Sequence, residues 1–215
     1  MISPWMQNGN IISFLQRETL SIQERVIMLQ DVAAGLTYRQ WTMPTIYSLL
    51  TCVRAVHSQG IIHGDLTGAN ILIDDTRRAR LIDFGLSSIK AMFEGTSYWS
   101  STVGGAIRWR APELLPPWPL GESTSVEFVP DFTVACDIFS FGNVMLHAIS
   151  DRRPYFNLRY ETSVLMSICH GTRPKRPLVP LLTDSHWDFI NWCWGDTPSA
   201  RPCAAEVLSA ISDVS

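Results

Sequence analysis

Three oxygen-bearing side chains stand out in HGDLTGANILIDDTRRARLIDFG, residues His63 to Gly85: Asp65, Asn70 and Asp83. Two short apolar runs, Asn70–Ile73 and Ala79–Ile82, flank the polar turn Asp74–Arg78, and this pattern predicts a small hairpin. Asp65 and Asn70 stand at the entrance of the first run, and Asp83 ends the second. A hairpin folds its outer ends together, so the three side chains should converge. Two carboxylates and an amide form a hard-oxygen set suited to Mg²⁺, which usually takes one or two protein carboxylates plus substrate phosphates. Singly, each is an ordinary polar residue at a turn edge. Their joint spacing is what carries the reading.

The elements that must hold such a site come from a chain of 215 residues, 46% of them apolar and eight of them Trp, enough for one domain or one large lobe with a sizeable core. The net charge of −3, without a Lys/Arg block, argues against nucleic acid as a partner and against a polybasic membrane anchor. Five scattered cysteines, Cys52, Cys136, Cys169, Cys193 and Cys203, form no Cys-x-x-Cys pair. They read as buried thiols in a reducing compartment. No run reaches transmembrane length, and the first twenty residues lack a signal-peptide pattern. An intracellular, cytoplasmic protein is expected.

Along the chain, Asn10 can cap a short helix over Ile11–Gln16. Ser21-Ile-Gln-Glu24 is a capping box, and Ile22, Val26, Leu29, Val32, Ala33 and Leu36 follow at helical spacing to about Tyr38. Arg39–Ala55 has no clear amphipathic order, and Pro44 would break a continuing helix. Ser87–Gly105, rich in Ser, Thr and Gly, reads as a long loop, and Pro116–Pro130 as irregular chain. Asp131–Ile149 is apolar nearly all round, which marks a buried central helix. Thr162–Cys169, Ser185–Trp194 and Ala204–Ile211 complete a set of C-terminal helices, and no persuasive strand follows residue 86.

These residues resemble the C-terminal lobe of a eukaryotic protein kinase. His63-Gly64-Asp65-Leu66-Thr67-Gly68-Ala69-Asn70 is similar to the catalytic loop, Asp83-Phe84-Gly85 to the magnesium motif and Ala111-Pro112-Glu113 to the end of the activation segment. Asp137-Ile-Phe-Ser-Phe-Gly142 resembles the central-helix motif, and Arg201-Pro202 the late arginine that pairs with the motif glutamate. Residues 1–10, with Ser3-Pro4-Trp5-Met6-Gln7-Asn8-Gly9-Asn10, look like the hinge that receives adenine, and 11–215 like the lobe itself. The Arg108-Trp109-x-Ala-Pro-Glu form is tyrosine-kinase-like in the broad sense, a group whose members often phosphorylate Ser and Thr.

The resemblance implies a mainly α fold, a helical bundle with a small β-hairpin at the catalytic loop and no N-terminal β lobe. It implies ATP-dependent phosphoryl transfer with Mg²⁺ to Ser or Thr of a protein substrate, Tyr being the less favoured acceptor. Asp65 would orient or accept the hydroxyl proton, and Asn70 and Asp83 would hold the metal. Met6 would offer backbone groups to adenine, and Leu72 would form the apolar floor beneath it. His63 would pack under Asp83, Asp137 would brace the catalytic-loop backbone, and Glu113 and Arg201 would form a buried ion pair.

Three departures bear on activity. The chain begins at the hinge, without a Gly-rich loop, strand lysine or partner glutamate, so it is expected to be a poor catalyst as it stands. Thr67 stands where Ser/Thr kinases carry Lys and supplies a hydroxyl without a charge; Ala106 and Gly64 replace a usual Thr and Arg. Residues 39–55 match nothing in the family, and the expectation is a retained short intron, with Met1 an internal start. Two other functions compete: a pseudokinase or scaffold module, and a small-molecule phosphotransferase, because His-Gly-Asp-Leu with a downstream Asn and Ile-Asp also occurs in antibiotic and choline kinases.

Overall fold

The structure, a computed structural model, describes residues 6–37, 62–83, 106–116, 128 and 130–214. The expectations for Arg39–Ala55 and Ser87–Gly105, and for nearly all of Pro116–Pro130, lie outside the described residues. The described elements are α1 (Ile11–Arg17), α2 (Ile22–Thr37), β1 (Ile71–Ile73), β2 (Ala79–Leu81), α3 (Val134–Ser150), α4 (Glu161–Cys169), α5 (Asp184–Cys193) and α6 (Ala204–Ala210), together with short 3₁₀ turns. The fold is mainly helical, and its one described sheet is the antiparallel pair β1–β2.

Local chemistry sets the helix starts. The Asn10 side chain accepts the Ser13 N–H and caps α1. Ahead of α2, Ser21 N–H donates to Glu24 Oε2 at 2.8 Å while Glu24 N–H donates to Ser21 Oγ at 3.3 Å, the reciprocal pair expected of a capping box. Val26, Leu29, Val32, Ala33 and Leu36 then line the buried face of α2, which packs against β2, α3 and α6. Arg25 shares that buried side, and its Nη1 donates to Ala148 O at 2.6 Å and to Asp151 Oδ1 at 2.8 Å. Its positive charge thus meets the carbonyl end of α3, where helix dipole and side-chain charge attract.

The central helix α3 is buried along almost its whole length, from Cys136 to Leu146 without interruption. At Gly142 a Cβ would sit 2.8 Å from Trp194 Nε1, so glycine is what lets α3 pass this close to the end of α5. Among the described cysteines Cys136 and Cys193 are buried, as expected of these thiols, but Cys203 is exposed. It occupies the position just before α6, where its N–H donates to Glu206 Oε2 at 2.7 Å in a capping box. No helix among the described residues is long and apolar enough to cross a membrane.

The hairpin pairs Ile71 with Leu81, Leu72 with Arg80 and Ile73 with Ala79. Two strands of three residues are marginal alone, so docking must supply the rest of their stability. Ile71 and Ile73 are fully buried, and Asp31 on α2 accepts from the Arg78 guanidinium and from Ala79 N–H, pinning β2 to α2. On the other side Ile73 N–H donates to Gly9 O at 2.9 Å, and Asn10 bridges to Leu72.

Asp74 organises the turn. Burial pushes its carboxyl up, but hydrogen bonds from the Thr76 hydroxyl, the Arg78 N–H, the Arg80 guanidinium and the Thr76 N–H outweigh that and bring it from 3.8 down to about 2. A carboxyl held below its unfolded value stabilises the fold above that value and loses the contribution as pH falls through the folded one. Asp74→Asn is therefore expected to cost about 2 kcal/mol near neutrality. The gap from the wild-type protein should close between pH 3.8 and about 2. Urea unfolding across that range measures it, and a gap independent of pH would contradict this account.

Candidate active site

The irregular segment Ile62–Thr67 leads into a single 3₁₀ turn at Gly68–Asn70, which feeds directly into β1. Its first residues hang on α3: Asp137, 1% exposed, accepts the His63 N–H with Oδ2 and the Gly64 N–H with Oδ1, both at 2.8 Å. Gly64 has φ +73°, a left-handed backbone that glycine adopts without the Cβ clash other residues meet. His63 is fully buried, and its Nδ1 accepts the Asp65 N–H at 3.3 Å. Burial lowers the His63 pKa against the pull of Asp137 and Asp65, which keeps the imidazole neutral at physiological pH. The His63 backbone bond to Asp137 and its ring bond to the Asp65 N–H tie the start of the loop to α3.

Asn70 is oriented by Asp65. Its Nδ2 donates to Asp65 O at 2.8 Å and to Asp65 Oδ2 at 3.3 Å, which commits the amide nitrogen and leaves the amide oxygen as the acceptor for anything beyond. The hairpin ladder continues as Ile82 N–H donates to Asn70 O at 3.1 Å, so Asp83 lies one residue past the partner of Asn70. Asp83 is exposed and has φ +61°, a conformation uncommon outside glycine and concentrated at functional sites. The structure thus brings Asp65, Asn70 and Asp83 to one end of the hairpin.

By chemistry that donor set, one amide oxygen and one exposed carboxylate, fits Mg²⁺, which takes such hard-oxygen ligands alongside phosphate oxygens. It does not resemble an all-protein cage: among the described residues no group of three or more His, Cys, Asp or Glu side chains could hold a metal ion. Leu72 is half-buried on the strand face opposite Ile71 and Ile73. Met6, also half-buried, is joined to it through the Gly9–Ile73 and Asn10–Leu72 contacts, and its carbonyl accepts the Gly9 N–H at 3.1 Å. One of the Met6 lone pairs expected to face a base is therefore engaged in a turn, and the second is left.

The end of the activation-segment motif is held by α3 and α4. Ser140, one turn beyond Asp137, donates to Trp109 O at 2.8 Å, so one face of α3 holds both the loop of Asp65 and the segment of Trp109. Arg201 meets Glu113 through two bonds, Nη1–Oε1 at 2.5 Å and Nη2–Oε2 at 2.8 Å. The arginine side chain is wholly buried and the glutamate is 20% exposed. Arg201 also donates to Gly195 O and Ala135 O, so this one guanidinium joins the segment, α3 and the approach to α6.

Two arginines, Arg108 and Arg110, hold positions to which the sequence patterns assigned no structural role. Arg108, 1% exposed, donates to the carbonyls of Pro154, Tyr155 and Leu158 and pairs with Glu161 at 2.8 Å, stitching the segment to the start of α4. Arg110 brings its Nη2 to 3.6 Å from Asp65 Oδ1 with its own side chain 8% exposed. The available signal was compositional: two cations flank Trp109 in an otherwise apolar motif, and buried arginines demand partners.

The family model described as protein kinase domain matches residues 1–210. Among similar proteins, the serine/threonine/tyrosine-protein kinase HT1 of Arabidopsis thaliana is 25% identical over 98% of this chain and 46% of its own length. The dual specificity protein kinase shkC of Dictyostelium discoideum is 24% identical over 100% of this chain and 37% of its own length. The serine/threonine-protein kinase STY17 of Arabidopsis thaliana is 25% identical over 100% of this chain and 32% of its own length. The chain spans less than half the length of these relatives. With the family model covering all but the last five of 215 residues, this chain belongs to the protein kinase domain family.

Proposed function

We propose that this chain carries the acceptor-facing and metal-facing half of a protein kinase site, which transfers the γ-phosphoryl group of ATP to Ser or Thr hydroxyls of a protein in the cytoplasm. The observation that carries the reading is the junction of Asp65, Asn70 and Asp83, with the Asn70 amide bonded to both the backbone and the carboxylate of Asp65. The acceptor oxygen bonds to the γ-phosphorus, the bond from that phosphorus to the β-bridging oxygen breaks, and ADP leaves with the electron pair. Asp65 takes the hydroxyl proton, at an oxygen that remains solvent-accessible, since its side chain is 34% exposed. Mg²⁺ bound between Asn70 and Asp83 would neutralise phosphate charge. Leu72 and the Met6 backbone would flank the base. The similarity to HT1, shkC and STY17, named as serine/threonine/tyrosine, dual specificity and serine/threonine kinases, favours Ser/Thr transfer, with Tyr as a further acceptor.

A scaffold reading is favoured by one observation: Thr67 is buried and brings no charge to the loop. Incubating the full-length gene product with Mg·ATP and a mixed protein acceptor separates the two. Label on phosphoserine and phosphothreonine that disappears when Mg²⁺ is chelated is the expected result. Nucleotide binding without any transfer would select the scaffold instead.

A further inference from the structure

We propose that Arg110 is the positioning residue for Asp65, supplying from the activation segment the cation that the catalytic loop lacks; this rests on the phosphotransfer reading above. Between Asp65 and Asn70 the loop offers Leu66, Thr67, Gly68 and Ala69, none of them charged. Arg110 enters from the far side with its Nη2 3.6 Å from Asp65 Oδ1 and its side chain 8% exposed. At that separation the contact is an ion pair and not a hydrogen bond. The distinction matters: the guanidinium attracts the carboxylate without occupying its lone pairs, so Oδ1 stays able to receive a proton.

Burial makes the attraction count. A guanidinium withdrawn from water is screened less than one at the surface, so its pull on Asp65 persists at physiological salt. The placement is also rigid. Arg110 directly follows Trp109, whose carbonyl accepts from Ser140 on α3, and Arg110 N–H donates to Ile107 O at 3.2 Å. Asp65 is fixed from the opposite side by the Asn70 amide on Oδ2 at 3.3 Å. The carboxylate is therefore set between an amide on one oxygen and a cation on the other, both anchored to the hairpin–α3 frame.

Steady-state kinetics of the full-length gene product, with active protein counted by nucleotide titration, tests the assignment through Arg110→Met, Arg110→Lys and the double variant Thr67→Lys/Arg110→Met. Arg110→Met is expected to lower kcat by roughly tenfold to a hundredfold, the scale of a misplaced catalytic group. KM for Mg·ATP should stay within about twofold, because the effect acts on the acceptor side. A lysine at either position should recover most of the loss, which a packing role for Arg110 would not allow. If Arg110→Met does not fold, Arg110→Gln, which keeps a planar polar head without the charge, carries the same comparison. Undiminished kcat in the neutral variant, or recovery by neither lysine, overturns the assignment alone. A wild-type protein that binds Mg·ATP but transfers nothing overturns the phosphotransfer reading and this assignment together.

Discussion

Asp65→Asn is expected to lower phosphoryl transfer by about 10²–10⁴-fold, the usual worth of a positioned general base, while Mg·ATP affinity stays nearly constant. The substitution is close to isosteric, and the contacts that hold the loop do not depend on the charge. Asn70 Nδ2 still finds the residue 65 carbonyl at 2.8 Å, and a residue 65 amide oxygen can accept the longer 3.3 Å bond. His63 Nδ1 still accepts the residue 65 N–H. What disappears is the ability to take a proton, together with the carboxylate facing Arg110 at 3.6 Å. Because Asp65 is 34% exposed and stands 3.6 Å from the Arg110 guanidinium, beyond hydrogen-bond reach, the contact adds little to the fold, and a stability loss of only about 1 kcal/mol is expected. Kinetics paired with nucleotide titration and thermal unfolding separates the two effects. Turnover retained within tenfold would remove Asp65 from the base role.

The reason the hairpin end could be read from the sequence is that its information is local. Apolar runs of matching length around a polar turn fix which residues face each other, and a ladder of that register has only one way to bring Asn70 beside Ile82. The helices were legible for the same reason, since their apolar stripes and the Ser21/Glu24 and Asn10 caps are short-range patterns. Long-range polar contacts are different. Nothing near Arg110 in the chain points to Asp65, and nothing near Arg25 points to Asp151; such pairs exist only once α3 has gathered the loops. Cys203 shows the converse error. Its place among scattered, unpaired cysteines suggested burial, but it stands at a helix start, where its N–H is bonded to the Glu206 carboxylate and the residue stays exposed.

The site is best described as two loops hung on one helix face. Asp137 receives the backbone of the loop that bears Asp65, and Ser140, one turn on, binds the backbone of the segment that bears Arg110. Since α3 is apolar and buried along most of its length, these two polar positions carry unusual weight: each sits where an unsatisfied group would cost about 1–3 kcal/mol. Positional precision at Asp65 is thereby inherited from core packing and does not rest on the loop's own composition.

The largest stability effect is expected for Arg201→Ala, a loss of about 3–5 kcal/mol, because removing one member of a buried pair strands the other. The arginine is wholly buried, and its bidentate contact with Glu113 is the strong geometry for a guanidinium and a carboxylate. Its loss also leaves the Gly195 and Ala135 carbonyls without this donor and removes the cation lying 5.0 Å from the Phe139 ring. For a domain of this size that corresponds to a drop in Tm of roughly 6–20 °C, readable by thermal unfolding. Glu113→Gln should cost less, about 1–2 kcal/mol, because the glutamate is 20% exposed and the arginine keeps its two carbonyl partners. The double variant Glu113→Ala/Arg201→Ala should be more stable than the sum of its single variants, since neither charge is then stranded. Strict additivity would mean that the two side chains are held independently by their surroundings, with the segment anchored to α3 through Ser140 and Trp109 instead.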